Sequence, residues 1–182
     1  MEYHLRTHSV ARAALTLVFA LALAAQPLAT AAPGDELVDS GKGKYQSADY
    51  DGAIQTLTQF VTQYPQNQQR NVAELYLGCS YLMRKNGEDR ADNNIARQHF
   101  QFIINQGKAE SYYREASFHN ARSYYCEKDY ASAIPLLRQF LADYPNDDFD
   151  KYAYYYLGVS ESQVGSLQTA VADLDAALAI IT

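Results

Sequence analysis

The chain has 182 residues, 48% of them hydrophobic, which excludes wholesale disorder and suffices for one domain or a short repeat array. A formal net charge of −6 excludes a broadly basic protein that attracts nucleic acid or anionic lipid. Tyr is abundant, at 16 residues, and Trp is absent, so aromatic contact surface here carries hydroxyl groups.

The N-terminus reads as an address. Arg6 and Arg12 lead into an apolar run, Ala13 to Ala25, which Pro27 breaks before Leu28–Ala31 offers an A-x-A site. This pattern predicts a cleaved secretory signal peptide over residues 1–31 and a periplasmic or otherwise exported mature protein. The run is shorter than the ~18–20 apolar residues that span a bilayer, so no transmembrane segment is expected after cleavage. No Cys follows it, so a lipid anchor is not expected.

The next elements come in pairs. "DYDGAIQTLTQFVTQYPQN" (Asp49 to Asn67) returns eighty residues later as "DYASAIPLLRQFLADYPND" (Asp129 to Asp147). In the second copy Ala133, Ile134, Leu137, Phe140 and Leu141 share one face of a 3.6-residue helix. Tyr144-Pro145 ends it, because the residue before Pro avoids helical angles. Pro135, inside the pattern, predicts a kink or a late helix start.

The preceding helices echo as well. "AELYLG" (Ala73 to Gly78) matches "AYYYLG" (Ala153 to Gly158), with "ASFHNA" (Ala116 to Ala121) as a weaker copy between them. Gly41, Gly78, Ala121 and Gly158 align in steps of 37, 43 and 37 residues. On the second helices Ala53, Ala96, Ala133 and Ala170 align, each followed four residues later by Leu57, Phe100, Leu137 or Leu174. A fixed period of this length predicts an all-α solenoid, since one helix pair cannot bury its apolar face alone. The six extra residues of the second copy fall in a polar, solvated loop, "KNGEDRADNN" (Lys85 to Asn94). Gly41 and Gly43 cost about 1 kcal/mol each relative to Ala, so the first helix is expected to fray.

"LGCSY" (Leu77 to Tyr81), the Ala-x-x-x-Leu/Phe pairs, Pro65 and Pro145 resemble the tetratricopeptide (TPR) pattern. The resemblance implies a right-handed superhelix of about four helix pairs, 35–66, 67–107, 108–145 and 146–182. Within the family the chain looks most like exported bacterial repeat proteins, such as the Tol-Pal-associated YbgF/CpoB and BamD-like proteins. That implies a non-catalytic scaffold or adaptor in the cell envelope, holding a peptide or partner helix in its concave groove. The alternatives are a self-assembling structural subunit of an envelope complex and an accessory domain to a peptidoglycan enzyme.

The family's first helices line the groove. At their aligned positions stand Leu75, Phe118, Arg122, Tyr125 and Tyr155, with Tyr152 near the end, an aromatic trough suited to a protein or peptide partner. The family's carboxylate clamp uses Lys and Asn there, and Val38, Leu75, Phe118 and Tyr155 do not match it. Leu174, Leu178 and Ile181 end the last helix with no cap behind them, a surface for docking or homo-oligomerisation. Cys79 and Cys126 are either packing residues or a disulfide between neighbouring helices. They stand one turn apart in register. That offset of ~5.4 Å, added to ~8–10 Å between helix axes, disfavours the bridge.

Catalytic patterns do not emerge. His99 and His119 sit mid-helix outside any ligand spacing, "GKGK" (Gly41 to Lys44) lacks the phosphate-loop spacing, and no G-x-S-x-G occurs. Glu88, Asp89 and Asp92 lack the EF-hand pattern. No cofactor or metal is expected.

Overall fold

A computed structural model describes residues 32–181, and from Pro33 onward the chain forms one compact unit. The expected signal peptide, 1–31, lies outside the described residues. Eight helices are described: α1 (Asp35–Gln46), α2 (Tyr50–Gln63), α3 (Arg70–Arg84), α4 (Arg90–Ile104), α5 (Tyr113–Cys126), α6 (Tyr130–Asp143), α7 (Asp150–Gln163) and α8 (Leu167–Ile181). Among the described residues all regular structure is helical, a TPR-type solenoid.

Each helix packs on the next in chain order. In addition α1 touches α3, α3 touches α5 and α5 touches α7, whereas no second helix touches the following second helix. The first helices therefore form the inner layer of the solenoid and the second helices the outer one.

The local chemistry explains the boundaries. Asp49, Asp89 and Asp129 cap α2, α4 and α6 by accepting from the backbone N–H groups of Gly52, Asp92 and Ser132. Three of the four first helices end in the same left-handed turn. Ala48, Lys128 and Gly165 have positive φ, and the N–H of the following residue reaches back to Lys44, Tyr124 and Glu161. That is the Schellman closure of a helix C-terminus.

The structure corrects two sequence expectations and narrows a third. The first helix does not fray at its glycines: α1 runs through both, and Gly41 is buried where a Cβ would stand 2.4 Å from Leu57 Cγ. Gly78 likewise makes room for the Phe100 ring and Gly158 for Leu174. Of the two outcomes expected at Pro135 the late start does not occur: the helix starts at Tyr130 and continues through the proline to Asp143. The six-residue insertion is only partly a loop. It carries the end of α3 one residue further and starts α4 three residues earlier in the repeat, leaving five residues between them where the other pairs have three.

That insertion is also less solvated than its composition suggests. Asp92 and Asn93 are buried. Arg84 pairs with Asp92, and the Asn93 amide donates to the Gly87 carbonyl at 2.7 Å. Gly87 lies against the end of α5, where a Cβ would stand 2.6 Å from Cys126 Cβ.

The core falls into three clusters, one for each junction between pairs. The first joins Val38, Ala53, Leu57 and Phe60 to Ala73 and Leu77 of α3. The second joins Leu75, Cys79, Leu82, Ala96, Phe100 and Ile103 to Ala116 of α5. The third joins Phe118, Ala121, Ala133, Leu137 and Phe140 to Ala153 and Leu157 of α7. In each, a pair's apolar face is closed by the first helix of the following pair.

Candidate functional site, an open apolar cleft between the last two helices

Among the described residues, the fourth pair carries the same face without that cover. Tyr155, Leu174, Ala177, Leu178 and Ile181 stand at the repeat positions of Phe118, Leu137, Phe140, Leu141 and Tyr144. Phe118, Leu137 and Phe140 are buried, whereas Tyr155 is 48% exposed, Leu178 59% and Ile181 68%. Between α7 and α8 these residues, with Lys151, Tyr152 and Tyr156, enclose a cleft of about 550 Å³. Its depth has an identifiable source. The position that is Phe60, Ile103 and Phe140 in the first three pairs is Ala177 here, so the space a large side chain takes elsewhere is left open.

The cleft brings together residues that the sequence reading assigned to two surfaces. Tyr152 and Tyr155 from the trough line the same cavity as Leu174, Leu178 and Ile181 from the uncapped helix. Leu174 has a second role, packing over Gly158. Lys151, Tyr156 and Ala177 were missed. Aligning the fourth copy onto Phe60, Ile103 and Phe140 would have found Ala177.

Other trough residues lie elsewhere. Leu75 and Phe118 are buried, at 7% and 3% exposure, because α5 and α7 cover them; they belong to the core and present no open groove surface. Tyr125 is half-buried against Tyr156, with ring centroids 4.5 Å apart. Burial, followed by the neighbouring Tyr155, pushes its hydroxyl up to about 12.

Arg122 occupies the inner layer beside both thiols. Its guanidinium donates to Met83 Sδ at 3.4 Å, while its Nε is buried without a hydrogen-bond partner. Burial raises the Cys126 thiol and the Tyr156 hydroxyl, and the adjacent Arg122 charge partly offsets both shifts. Cys79 and Cys126 are free thiols, not a disulfide. Burial pushes Cys79 up to about 12, so neither thiol is activated as a nucleophile.

His99 sits between the two helices of its own pair, α3 and α4, and His119 at a junction between pairs. His99 Nδ1 meets Glu74 at 2.6 Å. Burial pushes Glu74 upward, but His99 and then Arg70 bring it below the ordinary value. His119 lies among Phe100, Phe118 and Phe149. Burial first, and then Arg122, lower its imidazole to about 3.

A second, polar recess of about 340 Å³ lies between α6, α7 and α8. Arg138 pairs there with the fully buried Glu161. Burial and the hydrogen-bonded Glu161 carboxylate raise Asp173 to about 6. Among the described residues no three His, Cys, Asp or Glu side chains are grouped to hold a metal, and no helix is long and apolar enough to cross a membrane.

Comparison with known proteins agrees with this architecture. The profile of the YfiO family, described as outer membrane lipoprotein, matches residues 87–178, and a tetratricopeptide-repeat profile matches residues 37–67. Among solved structures, one titled "Crystal structure of MamA protein" superposes with a TM-score of 0.63 at 20% identity, covering 81% of this chain and 72% of that one. Another, "Crystal structure of MamA", gives 0.60 at 21% identity, covering 77% and 73%. At such identities the likeness is one of fold. No curated protein matches the chain. The chain belongs to the YfiO outer membrane lipoprotein family and is built as a tetratricopeptide-repeat solenoid.

Proposed function

We propose that the protein is a non-catalytic adaptor of the bacterial cell envelope that holds another protein at its C-terminal cleft. The carrying observation is the cleft itself: an apolar face closed by a following helix in the first three pairs and, among the described residues, open in the fourth. Exposed apolar surface of this extent, rimmed by Tyr hydroxyls and Lys151, suits protein contact. The family's outer-membrane description and the sequence of residues 1–31 support an exported location, the periplasm in a cell with two membranes. A scaffold role accords with the repeat architecture, whose surfaces serve extended binding.

The test is site-specific photocrosslinking in cells. A photoreactive phenylalanine at position 155 should trap one defined envelope protein, and Leu178→Glu should abolish the adduct. The same probe at the exposed Asp39, on the opposite end of the solenoid, should not trap it. Absence of any adduct from position 155, or the same adducts from both positions, rejects the cleft as the binding site.

A further inference from the structure

The three closed junctions describe what fits the open one. In each, the incoming first helix places a small residue on the preceding face: Ala73, Ala116 and Ala153. One turn later comes Leu77 or Leu157, and Asn120 in the middle copy. In the third junction an aromatic residue stands one turn before the Ala. Phe149 stacks on Phe118 with ring centroids 4.4 Å apart, and it also meets Phe140. Two residues earlier still, Asp147 pairs with Arg114 of the preceding pair, whose side chain also lies over the Phe149 ring.

The fourth pair repeats the acceptor half of this arrangement. Tyr155 takes the place of Phe118, and Lys151 that of Arg114. Ala177 replaces Phe140 and enlarges the hollow that an incoming aromatic ring enters. Resting on the adaptor reading above, we infer that the cleft receives an amphipathic helix from a partner protein, seated on the fourth pair as α7 is seated on the third. Its recognition pattern is an acidic residue, an aromatic two residues later, a small residue four after that, and Leu one further turn on. The aromatic fills the space over Ala177 and stacks on Tyr155, and the acidic group meets Lys151.

A second copy of this chain does not supply that helix. On α1 the positions of Ala153 and Leu157 are Glu36 and Ser40, with Asp39 beside them at the Tyr156 position, all exposed. Seating this face in the cleft would strip two carboxylates of water without an apolar gain. This polar face of α1 opposes head-to-tail stacking of the solenoid. Two clefts facing each other would oppose two hollows, leaving both unfilled.

The chain's own α7 is the available template for a probe. A helix-stapled, fluorescent peptide of residues 146–163 is titrated against the full chain and followed by anisotropy. Saturable binding is expected. Replacing the probe's Phe149 by Ala, or Tyr155 by Ala or Leu178 by Glu in the protein, should weaken it about tenfold or more. Circular dichroism confirms that the two protein variants keep their helix content. A scrambled stapled peptide that binds equally, binding indifferent to the substitutions, or no binding overturns the inference. So does a tail-to-tail dimer in sedimentation that Leu178→Glu dissociates. If the probe fails while crosslinking from position 155 still traps a partner, the adaptor reading stands and only the helical register falls. If both fail, the cleft has no such role.

Discussion

Phe149 of α7 lies flat on Phe118 of α5, the ring planes 7° from parallel, while Tyr155, the repeat equivalent of Phe118, is 48% exposed. One position in the repeat is thus core in the third pair and open surface in the fourth. Truncating the two should separate them in urea unfolding. Phe118→Ala should cost about 3–4 kcal/mol, the value for a buried aromatic. Tyr155→Ala should stay within about 0.5 kcal/mol, as surface substitutions do. Equal losses would show that the fourth face is covered within the chain itself.

Gly41 and Gly43 share a helix but differ in surroundings. A Cβ at Gly41 meets Leu57 at 2.4 Å, whereas at Gly43 it meets nothing within 4 Å. Gly43→Ala should therefore raise stability by about 0.5–1 kcal/mol, the propensity gain of an exposed helical site. Gly41→Ala gains the same propensity but forces α1 away from α2, with a net loss of about 1–3 kcal/mol. Thermal unfolding of the two single variants should move in opposite directions.

The turns closing three of the first helices place Ala48, Lys128 and Gly165 at matching left-handed positions, with φ of 61°, 65° and 87°. Only the last is the residue that adopts this conformation without a Cβ penalty. Lys128→Gly should stabilise the protein by about 1 kcal/mol despite the added freedom of the unfolded chain. Gly165→Ala should lose a similar amount. Chemical denaturation of both variants measures the effect, and a loss for Lys128→Gly would contradict it.

The helix pairing was legible because it rests on local spacing: Ala and Leu or Phe at i and i+4, repeated four times. The cleft was legible only in pieces. Burial of Phe118 depends on Phe149, Tyr156 and Ala153, one pair away, so its own helix cannot reveal whether it is covered. Gly41 looked like a helix breaker for the same reason, since its partner Leu57 lies on the next helix. Asp92 looked solvated because its pairing with Arg84 requires α4 to start earlier than the repeat implies. Ala177 was within reach, but a small residue amid "DLDAALAII" draws no attention until its three large counterparts are set beside it.

His119 and Asp173 give the protein opposing acid responses. His119, held near 3 by burial and Arg122, binds its proton less readily folded than unfolded, where it titrates at about 6.5. Its contribution is therefore full above about 6.5 and is lost as pH falls through that value toward 3. Asp173, raised to about 6 by burial and Glu161, binds its proton more readily when folded than the 3.8 of the free carboxyl. Its contribution is full below 3.8 and is lost as pH rises through about 6. Relative to the wild type, His119→Leu should gain stability as pH is lowered from 7 to 5, by up to about 2 kcal/mol. Asp173→Asn should gain as pH is raised from 4 to 7, by about 1 kcal/mol after allowance for solvent screening. Urea midpoints across this range test both. Differences from the wild type that do not change with pH would mean that neither side chain is perturbed as the packing implies. Between pH 4 and 6 the two slopes oppose each other in the intact protein, so each should become visible only when the other residue is removed.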